Sequence, residues 1–130
     1  MENNKDILII EPERIAGLEL QQQLEKKGFS VRRPISLVDA EEIVAQHTPD
    51  LIIADIGIKK HNLFERIKKY FKKFQLPFIW IGTLTKKKSI KESDGINVIG
   101  TFSKPFDSTK VVARIVQYFK RLSPIKQGKV

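Results

Sequence analysis

Apolar residues follow two rhythms along this chain. Residues 7–10, 51–54 and 78–81 are continuously apolar, the pattern of strands covered on both faces of a sheet. Residues 98–102 form a fifth strand candidate. Residues 30–33, Ser-Val-Arg-Arg, run into Pro34, which has no amide to donate, and this suits a strand at the edge of a sheet. Between these runs the period lengthens to three or four. Residues 14–27 carry Ile15, Leu18, Leu20 and Leu24 and close at Gly28, which suits a left-handed helix end. Residues 37–46 follow Ser36, whose hydroxyl can cap the free amides of a first turn, with Asp39 standing in for the capping-box Glu. Residues 63–74 place Leu63, Ile67, Tyr70, Phe71 and Phe74 on one stripe and Lys68, Lys69, Lys72 and Lys73 on the other. Residues 108–122 show the clearest period, through Val112, Ile115, Val116, Phe119 and Leu122. A helix within 86–93 has only Ile90 as an apolar anchor and is expected to be short or mobile.

Strands that alternate with helices imply right-handed crossovers and a parallel sheet. Five such units predict a flavodoxin-like, doubly wound sheet of order 2-1-3-4-5 in an α/β/α sandwich, with the switch point between the first and third strands. One domain is expected over residues 1–122, with 123–130 as a tail or linker stub.

Charge adds a second theme. The net charge is +9, but residues 59–91 hold 11 Lys or Arg against the single acid Glu65, while the remainder has 13 basic and 14 acidic residues. The like-charge pairs Lys68/Lys72 and Lys69/Lys73 each cost about 0.2–0.5 kcal/mol, so the cluster is tolerable without a purpose. It is either a solvated face or a surface for an acidic partner. Nucleic acid is disfavoured, because no helix-turn-helix or aromatic platform accompanies the lysines. No apolar run approaches the roughly 20 residues of a membrane span, and the first residues lack a signal-peptide core, so no membrane contact and a cytoplasmic setting are expected. The absence of cysteine excludes disulfides and thiolate chemistry; His47 and His61 stand in polar surroundings and read as surface residues.

The candidate chemistry lies where strands end. Asp55 closes the run 51–54, Glu11 closes 7–10, and Lys104-Pro105 follows 98–102. In open parallel sheets the carboxyl edge at the switch point is where ligands bind, so Glu11 and Asp55 should face one another there.

Four segments carry a resemblance. Residues 7–10 running into Glu11-Pro12-Glu13-Arg14, the stretch Pro49-Asp50-Leu51-Ile52-Ile53-Ala54-Asp55-Ile56, Pro77-Phe78-Ile79-Trp80-Ile81 and Phe102-Ser103-Lys104-Pro105-Phe106 resemble receiver domains of two-component response regulators, in that family's order and spacing. The resemblance implies a phosphorelay switch rather than an enzyme. Asp55 would accept a phosphoryl group from a histidine kinase or phosphotransfer protein, and Lys104 would be the fixed cation beside it. Mg2+ would be held by Glu11, Asp55 and the Gly57 backbone carbonyl. A carboxylate nucleophile needs that neutralisation of incoming oxygens.

The chain also departs from the family. Pro12 stands where receivers carry a second, metal-binding acid, which makes the expected Mg2+ site weak; Glu13 is a displaced substitute. Gly82 takes the place of the Ser or Thr that contacts the phosphoryl group, with Thr83 next to it. Thr101 replaces the aromatic switch residue, and Lys59 replaces a loop proline. The rival reading is therefore a pseudo-receiver, an interaction module independent of phosphorylation. A third, an anion-binding flavodoxin-like domain, is disfavoured by a first loop poor in Gly, Ser and Thr.

Overall fold

The computed structural model describes residues 5–83 and 95–122. In chain order these form β1 (Asp6–Ile10), α1 (Arg14–Lys26), β2 (Ser30–Arg32), α2 (Leu37–Gln46), β3 (Leu51–Asp55), a 3-10 turn (Ile56–Lys60), α3 (Phe64–Lys73), β4 (Pro77–Gly82), β5 (Asn97–Ser103) and α4 (Ser108–Leu122). All neighbouring strands are parallel and their order is β2-β1-β3-β4-β5, as the alternation of elements predicts.

The continuous apolar runs are explained by a core on each side of the sheet. Alternate side chains point to opposite faces. Leu8, Ile10, Ile52, Ala54, Phe78 and Trp80 pack with residues of α2 and α3, while Ile7, Ile9, Leu51, Ile53, Ile79 and Ile81 pack with α1 and α4. Fully burying a side chain of Leu, Ile or Phe size is worth about 1.5–3 kcal/mol, so β1, β3 and β4 anchor the molecule. β2 lies at the edge, as Pro34 suggests.

Several local expectations hold. The Ser36 hydroxyl accepts the Asp39 amide at 3.1 Å, and Gly28 takes φ 95° just after α1, a left-handed conformation that glycine adopts without penalty. His47 and His61 are both exposed.

The helix faces need correction. Ile15 and Leu18, expected on the buried stripe of α1, are 82% and 45% exposed. The buried line is Gly17, Leu20 and Leu24, and at about 100° per residue Ile15 falls on its far side. A Cβ at Gly17 would stand 2.8 Å from Arg33 Nη1, the mobile end of a side chain packed over this line. In α3 the buried residues are Phe64, Ile67 and Phe71; Phe74, at the helix end, is exposed, as is Leu122 at the end of α4. The stretch after Asp55, read as a loop, is wound into the 3-10 turn. Lys68, placed on the solvated stripe, keeps only 13% of its side chain exposed, with Nζ 5.7 Å from the Phe64 ring centre and 3.1 Å from Glu65. The helix expected within 86–93 and the tail 123–130 lie outside the described residues. Among the described residues no helix is long and apolar enough to cross a membrane.

Candidate functional site

Strand register builds the site. Ile10 pairs with Ala54, so Glu11 and Asp55 leave the sheet side by side; Asp55 pairs with Ile81, and Gly82 pairs with Ser103, which delivers Lys104 to the same edge. The Lys104 amide donates to the Gly82 carbonyl at 3.0 Å and ties the β5 exit to β4.

At that edge one ammonium joins two carboxylates. Lys104 Nζ lies 2.7 Å from Glu11 Oε2 and 3.1 Å from Asp55 Oδ1. The Glu11 side chain is fully buried, whereas those of Asp55 and Lys104 are 19% and 18% exposed. Two acids against one base leave the cluster with a formal excess of negative charge. Burial acts to lower the Lys104 pKa, but the hydrogen bonds to Glu11 and Asp55, with their charges, outweigh it, and the ammonium titrates above its ordinary 10.5.

Backbone amides complete the geometry. Glu11 Oε2 also accepts the Glu13 amide at 2.8 Å, so Glu11 folds back over Pro12. Asp55 Oδ2 accepts the Gly57 amide at 2.9 Å, an arrangement that caps the 3-10 turn and fixes the carboxylate. Sequence reasoning missed both amides; an acid two residues before each donor is the signal that marks them. A Cβ at Gly57 would come within 2.7 Å of Asp55 Oδ2, so a side chain there would require that carboxylate to turn.

The substitutes named from the sequence sit differently. Glu13 is 66% exposed, with its carboxylate 3.8 Å from Lys104 Nζ, at the rim of the cluster. Thr83 is exposed and makes no hydrogen bond to Asp55 among the described residues. Gly82 has φ 134°, and a Cβ on it would stand 3.0 Å from Asp55 Oδ1 and 2.9 Å from Ile56 Cγ2. Asp55 and Ile56 therefore occupy the space that a side chain at position 82 would need. Thr101 is exposed on β5.

The donors present suit a hard cation held loosely. Glu11 Oε1 is buried with no hydrogen-bond partner, and Glu11 and Asp55 provide two carboxylates. Mg2+ commonly takes one or two carboxylates and keeps several waters. Among the described residues no group of three or more His, Asp or Glu converges as a metal cluster.

Comparison with known proteins identifies the family and the fold. The response regulator receiver domain family matches residues 7–116. Probable transcriptional regulator ycf29 of Porphyra purpurea is 26% identical over 113 residues, covering 85% of this chain and 54% of that protein, so the chain spans about half the length of this curated relative. Among solved structures, a two-component response regulator from Clostridium difficile superposes with TM-score 0.75 at 20% identity, covering 92% of this chain and 99% of that one. The receiver domain of Francisella response regulator 1452 gives TM-score 0.75 at 16% identity, covering 92% and 100%. At these identities the structures establish the shared fold, and the family match covers most of the sequence. The chain belongs to the response regulator receiver domain family.

Proposed function

We propose that this receiver domain is a phosphoacceptor, taking a phosphoryl group on Asp55 from the phosphohistidine of a histidine kinase or phosphotransfer protein. The observation that carries this reading is the Lys104 ammonium 3.1 Å from Asp55 Oδ1, at the carboxyl edge of the sheet. An Asp55 oxygen attacks phosphorus, the P–N bond to the donor imidazole breaks, and the imidazole leaves with the electron pair and takes up a proton. Lys104 then faces a dianionic phosphoryl group and strengthens its hydrogen bonds to the product. The Gly57 amide orients the nucleophile and Glu11 holds Lys104 in place. Receiver domains typically bind Mg2+, which when present neutralises phosphoryl oxygens. Here Glu11, Asp55 and the Gly57 carbonyl are the proposed ligands, with weak affinity because Pro12 offers no side-chain oxygen; Glu13 is at most an outer contributor.

A second reading, the pseudo-receiver, is favoured by one observation: no side chain fits at position 82, and Thr83 does not reach Asp55 in its place. Beryllium trifluoride, a phosphoryl mimic, with Mg2+ distinguishes the two. The phosphoacceptor reading predicts that the Gly57 amide resonance moves on addition of both, because its acceptor oxygen is taken, and that Asp55→Asn abolishes the shift. An unmoved resonance at saturating mimic and Mg2+ establishes the pseudo-receiver.

A further inference from the structure

Away from the sheet edge, the α2–α3 layer carries a basic groove that phosphoacceptance does not use. Arg66, Lys69 and Lys73 fall at i, i+3 and i+7 on α3, so they line one flank of the helix over about 10 Å. With Tyr70 and with Glu41 of α2 they line an open groove of about 330 Å³. Their partners differ. Arg66 Nε and Nη2 each lie 3.1 Å from Glu41 Oε2, which neutralises the arginine and links the two helices. Lys69 and Lys73 are exposed and have no carboxylate partner among the described residues. The half-buried Tyr70 lies between them in sequence and adds an aromatic side chain to the groove lining.

We propose that this groove docks an acidic segment of a partner protein, whose carboxylates meet Lys69 and Lys73 while its chain lies over Tyr70. Charge complementarity selects the sign, because the two groups on the walls without a carboxylate partner among the described residues are both ammonium ions, that of Lys73 lying 5.4 Å from the Phe74 ring centre. Shape selects the class. A duplex or a membrane presents a broad or convex anionic surface, whereas this is a concave cleft between two helices with the Glu41 carboxylate on one wall. A slender polypeptide suits such a cleft, with its carboxylates directed at the two lysines and Glu41 already engaged by Arg66. The surface is independent of Asp55, so docking persists whether or not the phosphoacceptor reading holds.

The test uses the full chain and a fluorescein-labelled oligoglutamate peptide, with anisotropy as the readout at low salt. Lys69→Gln/Lys73→Gln should weaken binding about ten-fold, the effect of two exposed ion pairs. Lys110→Gln/Lys120→Gln on α4 removes the same charge elsewhere and should change binding less than about two-fold, with circular dichroism confirming that both variants are folded. Equal losses from the two pairs, or no peptide binding by the unmodified chain, overturn the proposal by reducing the groove to a solvated face. Tighter binding of a DNA duplex or of phosphatidylserine vesicles than of the peptide, lost in the Lys69/Lys73 variant, also overturns it and assigns the groove to that other occupant.

Discussion

Lys104 is the residue on which the site balances, since it is the one cation among the described residues that pairs with the fully buried Glu11, and it also reaches Asp55. Lys104→Met should therefore destabilise the protein by about 1–3 kcal/mol at pH 7 in urea denaturation, because it strands a buried carboxylate. Adding Glu11→Gln should recover much of that loss. The pH dependence has a definite sign. A lysine whose folded pKa is raised contributes stability that is complete below its unfolded value, near 10.5, and is lost as pH rises through the higher folded value. The stability difference between wild type and Lys104→Met should hence shrink above about pH 10.5, and a difference unchanged at alkaline pH would show that Lys104 packs rather than pairs. On the proposed reading Pro12 limits Mg2+ binding. Pro12→Asp should raise Mg2+ affinity, followed by Trp80 fluorescence, and should slightly destabilise the metal-free protein, because a further carboxylate beside Glu11 and Asp55 repels both. Equal Mg2+ affinity in the two proteins would show that Glu11 or Glu13 already supplies the missing ligand. At this scale Asp55, Glu11 and Lys104 were legible in the sequence because each ends a recognisable strand. The folding back of Glu11 onto the Glu13 amide was not, because it depends on the direction the chain takes through Pro12.

Among the elements, legibility followed the strength of the periodic signal. The bounds of α2 and α4 coincide with the expected ones because a cap or a clear apolar period defines them. Ser36→Ala should cost about 1 kcal/mol, the usual value of a lost N-cap, as a shift in the denaturation midpoint at unchanged slope. A neutral result would mean that the Ser36 hydroxyl bond to the Asp39 amide adds nothing over water. The buried face of α1 was misread because Ile15 and Leu18 are apolar without being central to its stripe, and a single sequence does not tell an exposed isoleucine from a buried one. Phe64 was missed although it lies three residues before Ile67 and seven before Phe71, a spacing that places it on their stripe, where it packs against Trp80 at 6.1 Å between ring centres.

For the molecule as a whole, the alternation of strands and helices made the sheet order predictable, and the two-sided core explains why three strands read as unbroken apolar runs. Charge was legible only as a regional excess. Its division into an arginine bound to Glu41, a lysine laid over Phe64 and lysines such as Lys69 that stay exposed needs the packing of α2 against α3. At the carboxyl edge, we propose that Asp55 acts as a nucleophile beside Lys104 even though Pro12 and Gly82 replace two of the family's usual side chains. Incubation with a small-molecule phosphodonor and Mg2+, borohydride reduction of any acyl phosphate, and peptide mapping by mass spectrometry test it most directly. The account predicts a reduced product at Asp55 alone, dependent on Mg2+ and absent from Asp55→Asn. No product from the unmodified chain at saturating Mg2+, or a product that persists in Asp55→Asn, would contradict it.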